Sequence, residues 1–479
     1  MRITLILCLF ALTISAQPMP QPEREFRAAW IATVDNIDFP TRKTLTIDEQ
    51  KAEIIRDLDL ASELRLNAVV FQVRPMADAI YKSDIEPWSE FLTGKMGKAQ
   101  DFDPLTFLVD EAHKRGILVH AWFNPYRAVH PAAKTEVSND HIAKRRPDLV
   151  RRYGTYVWMD PGEKEVQEYS LSVIRDVVKR YDIDGVHFDD YFYPYPIQFE
   201  GKEVDFPDDP SWKKYVDGGG KLARNDWRRK NVDDFIASVG REVKKIKPDV
   251  LYGISPFGIW KPVREKNIRG LNAYESLYAD ARKWLQEGTV DYIAPQLYWE
   301  TASKGQSYPV LLEWWNAQNT AGRHIWPGLA IYRIGSTPTY TANEITDQIK
   351  LARTYKPSAG TIHFSFKWFR TDNGGINGAL KKHVYQRDAI MPASPWIKSA
   401  KPLAPKVEIR RSKDYVRASW MEQGARKAFW FVVYAKDKDG WSYSILPANE
   451  RSITLSADRN IDKIVVTSVD RLGNESERK

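Results

Sequence analysis

Cysteine is almost missing from this sequence. The only one among 479 residues is Cys8, which lies within the first 16 residues. If that segment is removed after Ala16, the remaining chain has no thiol. Disulfide bonds and thiol catalysis are therefore excluded for the mature protein.

Several other patterns that carry chemistry are also absent. The eight histidines are scattered, without the His-x-x-x-His or Glu-x-x-His spacing of a metal site. No Gly-rich phosphate loop follows the first predicted strand, and no Gly-x-Ser-x-Gly motif marks a serine nucleophile. Neither an RNA-binding signature nor a zinc-knuckle spacing is found. We predict no metal, no cofactor and no nucleic-acid partner.

Long apolar runs are lacking except at the N-terminus. Residues 1–16 combine one basic residue with an apolar stretch over 3–14 and the small residues Ser15 and Ala16. This order is typical of a cleavable signal peptide, and the stretch is too short to span a bilayer comfortably. We predict an exported protein without an integral membrane span, located in the periplasm or cell envelope or secreted.

The composition is otherwise that of a soluble globular protein. Hydrophobic residues make up 43% and charged residues 28%, and the formal net charge is +8. A mild positive charge favours anionic partners, acidic glycans and cell-wall polymers among them. The 17 Trp and 23 Tyr exceed what a core usually needs, and they suit a surface that stacks against flat ligand faces such as sugars.

Eight short apolar runs alternate with amphipathic stretches. The runs lie at 26–34, 67–73, 117–124, 185–192, 251–257, 292–299, 325–332 and 360–368. The helical stretches lie at 47–64, 105–114, 164–180, 232–245, 273–285, 310–319 and 343–355. Eight strands covered by helices predict an α/β fold, a (β/α)8 TIM barrel over 25–390, in preference to an open doubly wound sheet.

The pattern changes near residue 391. Prolines punctuate a linker over 391–404, and segments 415–420, 429–434 and 463–468 then alternate as strands without helices. A small all-β sandwich over 405–479 is predicted, and its pattern resembles fibronectin type III domains. Such a module serves more often for spacing or docking than for catalysis.

Chemistry in such a barrel belongs at the C-terminal ends of the strands. The fourth run ends in Asp189 and Asp190, followed by Tyr191. Alternation along this strand sends Val186 and Phe188 toward the helices, and it sends His187 and Asp189 toward the barrel axis. We predict that Asp190 is a general acid/base and that Asp189 orients or stabilises.

Two carboxylates beside an aromatic groove suit cleavage of glycosidic bonds. On an extended backbone Asp189 and Asp190 point apart, so they are not expected to flank one bond. The second catalytic group is then a distant carboxylate, Glu300 or Asp78, or else the N-acetyl group of the substrate itself, which an aspartate polarises. The residues leave these alternatives open.

Other strand ends supply candidates for substrate binding. Arginines at these positions can bind a sugar carboxylate through two hydrogen bonds or form ion pairs with the aspartates. Tryptophans can stack on sugar faces. Amide and hydroxyl groups can form hydrogen bonds with sugar hydroxyls. The candidates are Arg74, Asp78, Trp122, Asn124, Arg127, His187, Tyr191, Trp260, Gln296, Tyr298, Trp299, Tyr332, Arg333 and Trp368.

In combination the strand-end motifs resemble the bacterial family-10 glycosyl hydrolase-like proteins. The matching motifs are FRAAWIATV at 26–34, NAVVFQVRP at 67–75, AWFNPYR at 121–127, DGVHFDDYFYP at 184–194 and APQLYW at 294–299. The resemblance implies a (β/α)8 glycosidase of the bacterial envelope. Members of that family include a division-associated enzyme that cleaves peptidoglycan strands stripped of their peptides. The expected function is hydrolysis of N-acetylated cell-wall glycan.

Two alternatives remain at the level of sequence. One is a noncatalytic barrel that binds glycan through its groove and uses the C-terminal sandwich for docking. The other is a hydrolase of α-glucans or another polysaccharide. Release of fragments separates an enzyme from a binding module, which would co-sediment with the glycan and leave its length unchanged.

Overall fold

A computed structural model describes residues 18–356 and 359–478. The predicted signal peptide at 1–16 lies outside these residues. Within them, no helix is both long enough and apolar enough to cross a membrane.

The central sheet closes into a barrel of parallel strands. Its strands are β1 Phe26–Ile31, β2 Ala68–Arg74, β3 Leu118–Phe123, β4 Gly185–Phe188, β5 Leu251–Ile254, β6 Tyr292–Ile293, β7 in two halves, His324–Ile325 and Gly328–Leu329, and β8 Gly360–His363. The first half of β7 pairs with β6, and the second half pairs with β8, which in turn pairs with β1. The closed circuit confirms the predicted (β/α)8 fold, and each strand coincides with a predicted run, except that β2 ends one residue later, at Arg74, and β7 begins one residue earlier, at His324.

Helices surround this barrel. They are α1 Ile47–Glu63, α2 Glu90–Thr93, α3 Pro104–Lys114, α4 Ile142–Arg145, α5 Lys164–Arg180, α6 Asp209–Asp217, α7 Arg224–Ile246, α8 Ala273–Ser276, α9 Ala281–Gln286, α10 Tyr308–Gln318, α11 Ala342–Ala352, α12 Lys367–Arg370 and α13 Ile376–His383. Thr46 and Glu49 begin α1 with a reciprocal capping box. The helix predicted at 273–285 is wrong as a single element, because the chain leaves the helical path between α8 and α9.

Three groups of short strands lie outside the barrel sheet. Glu23–Arg24 pairs with Ala389–Ile390, which joins the two ends of the barrel segment. Arg127–Val129, Tyr156–Met159 and Val150–Tyr153 form a small sheet after β3. Ile197–Phe199 and Lys202–Val204 form a hairpin after β4. The last two groups follow strand ends, so they build up the C-terminal face of the barrel.

Side chains of β4 alternate as predicted. Val186 and Phe188 pack with the layer between strands and helices. His187 is buried inside the barrel, where its ring lies 5.9 Å from that of Trp30. The alternation therefore directs the residues that follow β4 to the mouth of the barrel.

The C-terminal region is all-β, as predicted. Its strands are β9 Lys406–Arg411, β10 Tyr415–Met421, β11 Trp430–Asp437, β12 Gly440–Pro447, β13 Ser452–Ser456 and β14 Lys463–Val469. They form two antiparallel three-stranded sheets, in the orders β9-β10-β13 and β12-β11-β14. Trp420, Phe431 and Val466 belong to the core that the two sheets share. The likeness to fibronectin type III domains stays a prediction.

This region packs under the barrel. Alternate residues of β11, such as Trp430 and Val432, join Leu118 and Leu251 in one buried cluster. Leu118 and Leu251 are the first residues of β3 and β5, so the contact lies at the N-terminal ends of the strands. The indole of Trp430 donates to the Gly116 carbonyl at 2.9 Å. The opposite, C-terminal face of the barrel is left open.

Candidate active site

A cavity of about 280 Å³ opens at the C-terminal face of the barrel. Aromatic rings form much of its wall, and two carboxylates and one guanidinium are its charged groups. It is lined by Trp30, Ala32, Val34, Ile37, Trp122, Arg127, His130, Asp189, Asp190, Tyr191, Tyr195, Ser255, Gln296, Tyr298, Tyr332 and Phe364. The ends of most of the barrel strands thus converge on one pocket.

Asp189 is held by donors on neighbouring strand ends. Its Oδ2 accepts from the Trp122 indole at 3.1 Å and from the Asn124 amide, and its Oδ1 accepts from the backbone N–H of Tyr191 at 3.3 Å. Burial raises the pKa of Asp189, whereas the positive charge of Arg127 and these hydrogen bonds act in the opposite direction. The pKa of Asp189 stays above its ordinary value, but the charge of Arg127 and the hydrogen bonds limit the rise that burial alone would cause.

Asp190 has a different environment. It is 3% exposed, and its Oδ2 accepts a hydrogen bond from the Tyr195 hydroxyl. Burial and the nearby charge of Asp189 raise its pKa to about 7. A carboxyl group with such a pKa holds its proton near neutral pH, and this is what a general acid requires.

The two aspartates share the pocket, so the expectation that they point apart is wrong. That expectation assumed an extended strand through both residues. β4 ends at Phe188, and the chain bends at Asp190. The bend brings the second side chain to the same cavity as the first. No distant carboxylate is needed to supply a pair.

Arg127 is the one guanidinium in the pocket wall. Its Nε donates to the Pro75 carbonyl at 2.8 Å and its Nη2 to the Asn124 side chain, while its charge lies 5.1 Å from the centre of the Tyr191 ring. Since Asn124 in turn donates to Asp189, Arg127 and Asn124 together fix that carboxylate.

His187 lies beneath the pocket and is not part of its wall. Its Nε2 accepts from the Trp30 indole N–H at 3.1 Å, and its Nδ1 lies 2.9 Å from the Tyr292 hydroxyl. An indole N–H only donates, so the proton of the neutral ring is on Nδ1. Complete burial holds the pKa of His187 well below its usual range. The ring supports Trp30 from below without carrying a charge.

Arg74 and Asp78 were predicted to bind substrate, and both lie outside the pocket. Arg74 is buried in an ion pair with Glu86, with Nε to Oε2 at 2.8 Å, and it donates from Nη1 to the Asn124 carbonyl at 2.7 Å. Asp78 is buried and accepts from the backbone N–H of Met76 at 3.0 Å. Through these contacts both side chains stabilise the loops that support the site.

Glu300 is also outside the pocket. Its carboxylate accepts from the hydroxyls of Thr337 and Thr339. Trp260 packs against Trp314 with ring centres 5.8 Å apart, and its indole N–H donates to Asp280 at 2.9 Å. These contacts lie in the outer loops, because the chain continues past the strand end before it reaches Glu300 or Trp260.

Asn124, Trp299, Arg333 and Trp368 are the remaining predicted residues that are absent from the pocket wall. Asn124 is fully buried behind Asp189, to which its amide donates. Trp299 packs against Phe257, with ring centres 5.7 Å apart. Arg333 donates from Nη1 to the Tyr298 carbonyl at 2.6 Å. Trp368 lies in α12, which begins at Lys367 and carries the chain away from the pocket after β8.

Sequence reasoning missed several residues of the pocket. Trp30 and Phe364 lie at the ends of β1 and β8. A search for site residues at the ends of all eight strands would have found both. Tyr195 lies in the loop after β4, and only its proximity to two aspartates in the sequence marks it. His130 follows the short strand Arg127–Val129, whose return to the pocket has no sequence signature.

A closed (β/α)8 barrel with a carboxylate pair after β4, in a pocket of aromatic rings, defines a glycoside hydrolase. The family model "Glycosyl hydrolase-like 10" matches residues 25–345. The chain belongs to this family, and its activity is hydrolysis of glycosidic bonds.

The sequence is similar to two curated relatives over most of its length. The chain is 38% identical to glycosyl hydrolase YngK of Bacillus subtilis over 99% of its own length and 96% of the relative. It is 36% identical to glycosyl hydrolase DigH of Escherichia coli K12 over 73% of its own length and 83% of the relative. The glycoside hydrolase domain of PgaB (BpsB) from Bordetella bronchiseptica has the same fold, with a TM-score of 0.50 and 12% identity over 76% of this chain and 99% of that domain.

Proposed function

We propose that this glycoside hydrolase is exported and cleaves N-acetylated cell-wall glycan, namely peptidoglycan strands that lack stem peptides. The single observation that carries the proposal is the pair Asp189 and Asp190 in one aromatic pocket, where several hydrogen-bond donors hold the first and the Tyr195 hydroxyl contacts the second. The predicted signal peptide and the net charge of +8 agree with an anionic substrate outside the cytoplasm.

In the first step of the proposed mechanism Asp190 gives its proton to the leaving glycosidic oxygen. The carbonyl oxygen of the substrate's own acetamido group forms a bond to the anomeric carbon as the glycosidic bond breaks. The acetamido nitrogen gains positive charge in this cyclic intermediate, and Asp189 stabilises it as a fixed anion. Trp122 and Asn124 hold Asp189 in place for this purpose.

In the second step Asp190, now ionised, takes a proton from water. The resulting nucleophile attacks the anomeric carbon, the acetamido group returns to its original form, and Asp190 regains its proton. The configuration at the anomeric carbon is retained because it is inverted twice. Two adjacent carboxylates suffice for this sequence of steps, since neither of them has to attack the sugar.

The C-terminal region has a separate role in this proposal. It covers the N-terminal end of the barrel and leaves the pocket free. Its other sheet, β9-β10-β13, faces away from the barrel core and is proposed to dock the enzyme to the cell envelope.

Participation of the acetamido group is tested with two matched substrates. Chitin oligomers and their fully N-deacetylated counterparts share the same linkages and differ only in the acetyl groups. We expect cleavage of the acetylated series and no cleavage of the deacetylated series, as followed by chromatography of the products. Equal rates on the two series would contradict the proposed mechanism.

Asp189→Asn is expected to lower kcat by about a hundredfold or more, because the cationic intermediate loses a preorganised anion. The amide has the same shape and can still accept from Trp122, so the fold is expected to be retained. Steady-state kinetics on chitin oligomers measure the loss. Asp347→Asn on the exposed side of α11 is the control, and an unchanged kcat for Asp189→Asn would refute the role.

Tyr195→Phe is expected to move the alkaline limb of activity to higher pH. The Tyr195 hydroxyl stabilises ionised Asp190, and its removal raises the pKa of Asp190 above about 7. The acid must be protonated to act, so activity falls as pH rises through this pKa. In Tyr195→Phe the fall in activity should therefore occur at a higher pH. The dependence of kcat/KM on pH measures the shift. Tyr332→Phe, in the same pocket without a bond to Asp190, should leave the limb unchanged; a shift to lower pH for Tyr195→Phe would exclude the assignment.

A further inference from the structure

A line of aromatic rings leaves the pocket on one side. Tyr195 is in the pocket wall, the Phe257 ring lies 6.3 Å from it at 75°, and the Trp299 ring lies 5.7 Å from Phe257 at 82°. All three side chains are partly exposed. We call these three residues the aromatic ridge. Phe257 and Trp299 are outside the wall of the cavity that holds the aspartates.

The ridge has a fixed position relative to the barrel. Phe257 forms an isolated parallel bridge with Gln296, which extends the pairing of β5 and β6 to the mouth. A Cβ atom at Gly258 would lie 2.4 Å from the Gln296 carbonyl oxygen and 2.8 Å from Cζ3 of Trp299. Only glycine therefore allows the loop after β5 to approach this closely, and the close approach holds the indole of Trp299.

The chemistry of Asp190 indicates which sugar the ridge would meet. Tyr195 both begins the ridge and donates to Asp190. In the proposed mechanism Asp190 protonates the oxygen between the sugar in the pocket and the leaving sugar. A sugar on the ridge is consequently on the leaving-group side of the bond that breaks. Exposed aromatic faces at such a place match the apolar faces of pyranose rings.

We propose that Tyr195, Phe257 and Trp299 form a binding subsite for the leaving part of the glycan, so that the enzyme holds a chain on both sides of the cleaved bond. The glycan class rests on the proposed function, whereas the subsite itself needs only a polysaccharide with flat sugar faces. A chain that continues past the pocket in this way is cleaved more efficiently than a substrate that fills the pocket alone.

The experiment compares Trp299→Ala and Phe257→Ala with the wild type on substrates of two lengths. Chitin oligomers long enough to cover the ridge are expected to lose about tenfold in kcat/KM, the size of effect that loss of one stacked ring produces. An aryl glycoside of N-acetylglucosamine, whose leaving group is a single ring, is expected to lose less than the long oligomers. Trp299→Phe keeps a ring and should recover most of the loss. Tyr355→Ala, at a partly exposed aromatic that follows α11 and is outside the pocket wall, is the matched control.

Binding of chitin and maltose oligomers, measured by calorimetry, separates the two proposals. Hydrolysis of chitin oligomers with no effect of the ridge variants would overturn the subsite and leave the function intact. Ridge-dependent binding of maltose oligomers without cleavage of chitin would overturn the function and keep the subsite. Absence of binding to either series would overturn both. Thermal unfolding of each variant verifies that it is folded.

Discussion

Asp190→Asn is expected to lower kcat for chitin oligomers by about a thousandfold or more while the protein stays folded. The carboxyl group of Asp190 supplies the proton for the leaving oxygen, and an amide of the same shape has no proton of suitable acidity. The hydrogen bond from the Tyr195 hydroxyl can be kept by the amide oxygen, so stability should change little. Steady-state kinetics and circular dichroism measure the two quantities.

A substrate with a more acidic leaving group tests the role of Asp190 as proton donor more specifically. A dinitrophenyl glycoside of N-acetylglucosamine departs without protonation, so its kcat/KM should fall far less in Asp190→Asn than that of a chitin oligomer. Asp189→Asn, which affects the intermediate and not the proton, should lose activity on both substrates. Full activity of a folded Asp190→Asn variant on chitin oligomers would contradict the assignment of the acid and leave Asp189 as the other carboxylate in the pocket wall.

Glu86→Gln is expected to reduce the free energy of unfolding by about 3–5 kcal/mol, because it leaves the buried cation of Arg74 without a counter-charge. Arg74 donates to both oxygens of Glu86 and is 1% exposed. Urea denaturation measures the change. Asp234→Asn removes the exposed pair with Lys230 on α7 and should cost about 1 kcal/mol or less. Equal effects of the two substitutions would contradict the structural role given to Arg74.

The eight strands could be predicted because each is a short apolar run that an amphipathic stretch separates from the next, and the closed barrel follows from their number. The strand-end rule likewise found Asp189, Asp190, Trp122 and Gln296, which all line the pocket. These residues lie at or close to the ends of strands, where the fold dictates the direction of the chain.

The rule failed where the chain moves on from the strand end. Glu300 and Trp368 lie only a few residues beyond β6 and β8, yet loop geometry and a short helix carry them out of the pocket. Arg74 is the last residue of β2, and its partner Glu86 has no signal in the sequence that would link the two. The bend at Asp190, which brings both aspartates together, is also a property of the loop.

The central claim is that this pocket hydrolyses peptidoglycan strands free of peptides. The most direct test is mass spectrometry of the products. The mature protein is incubated with such strands in water enriched in the heavy oxygen isotope. Intact sacculi and the variant Asp190→Asn are measured in parallel. The account predicts shortened strands that carry one heavy oxygen at each new reducing end, formed from stripped strands and absent with Asp190→Asn. Unchanged strand lengths with the wild-type protein, or fragments formed equally by the variant, would contradict it.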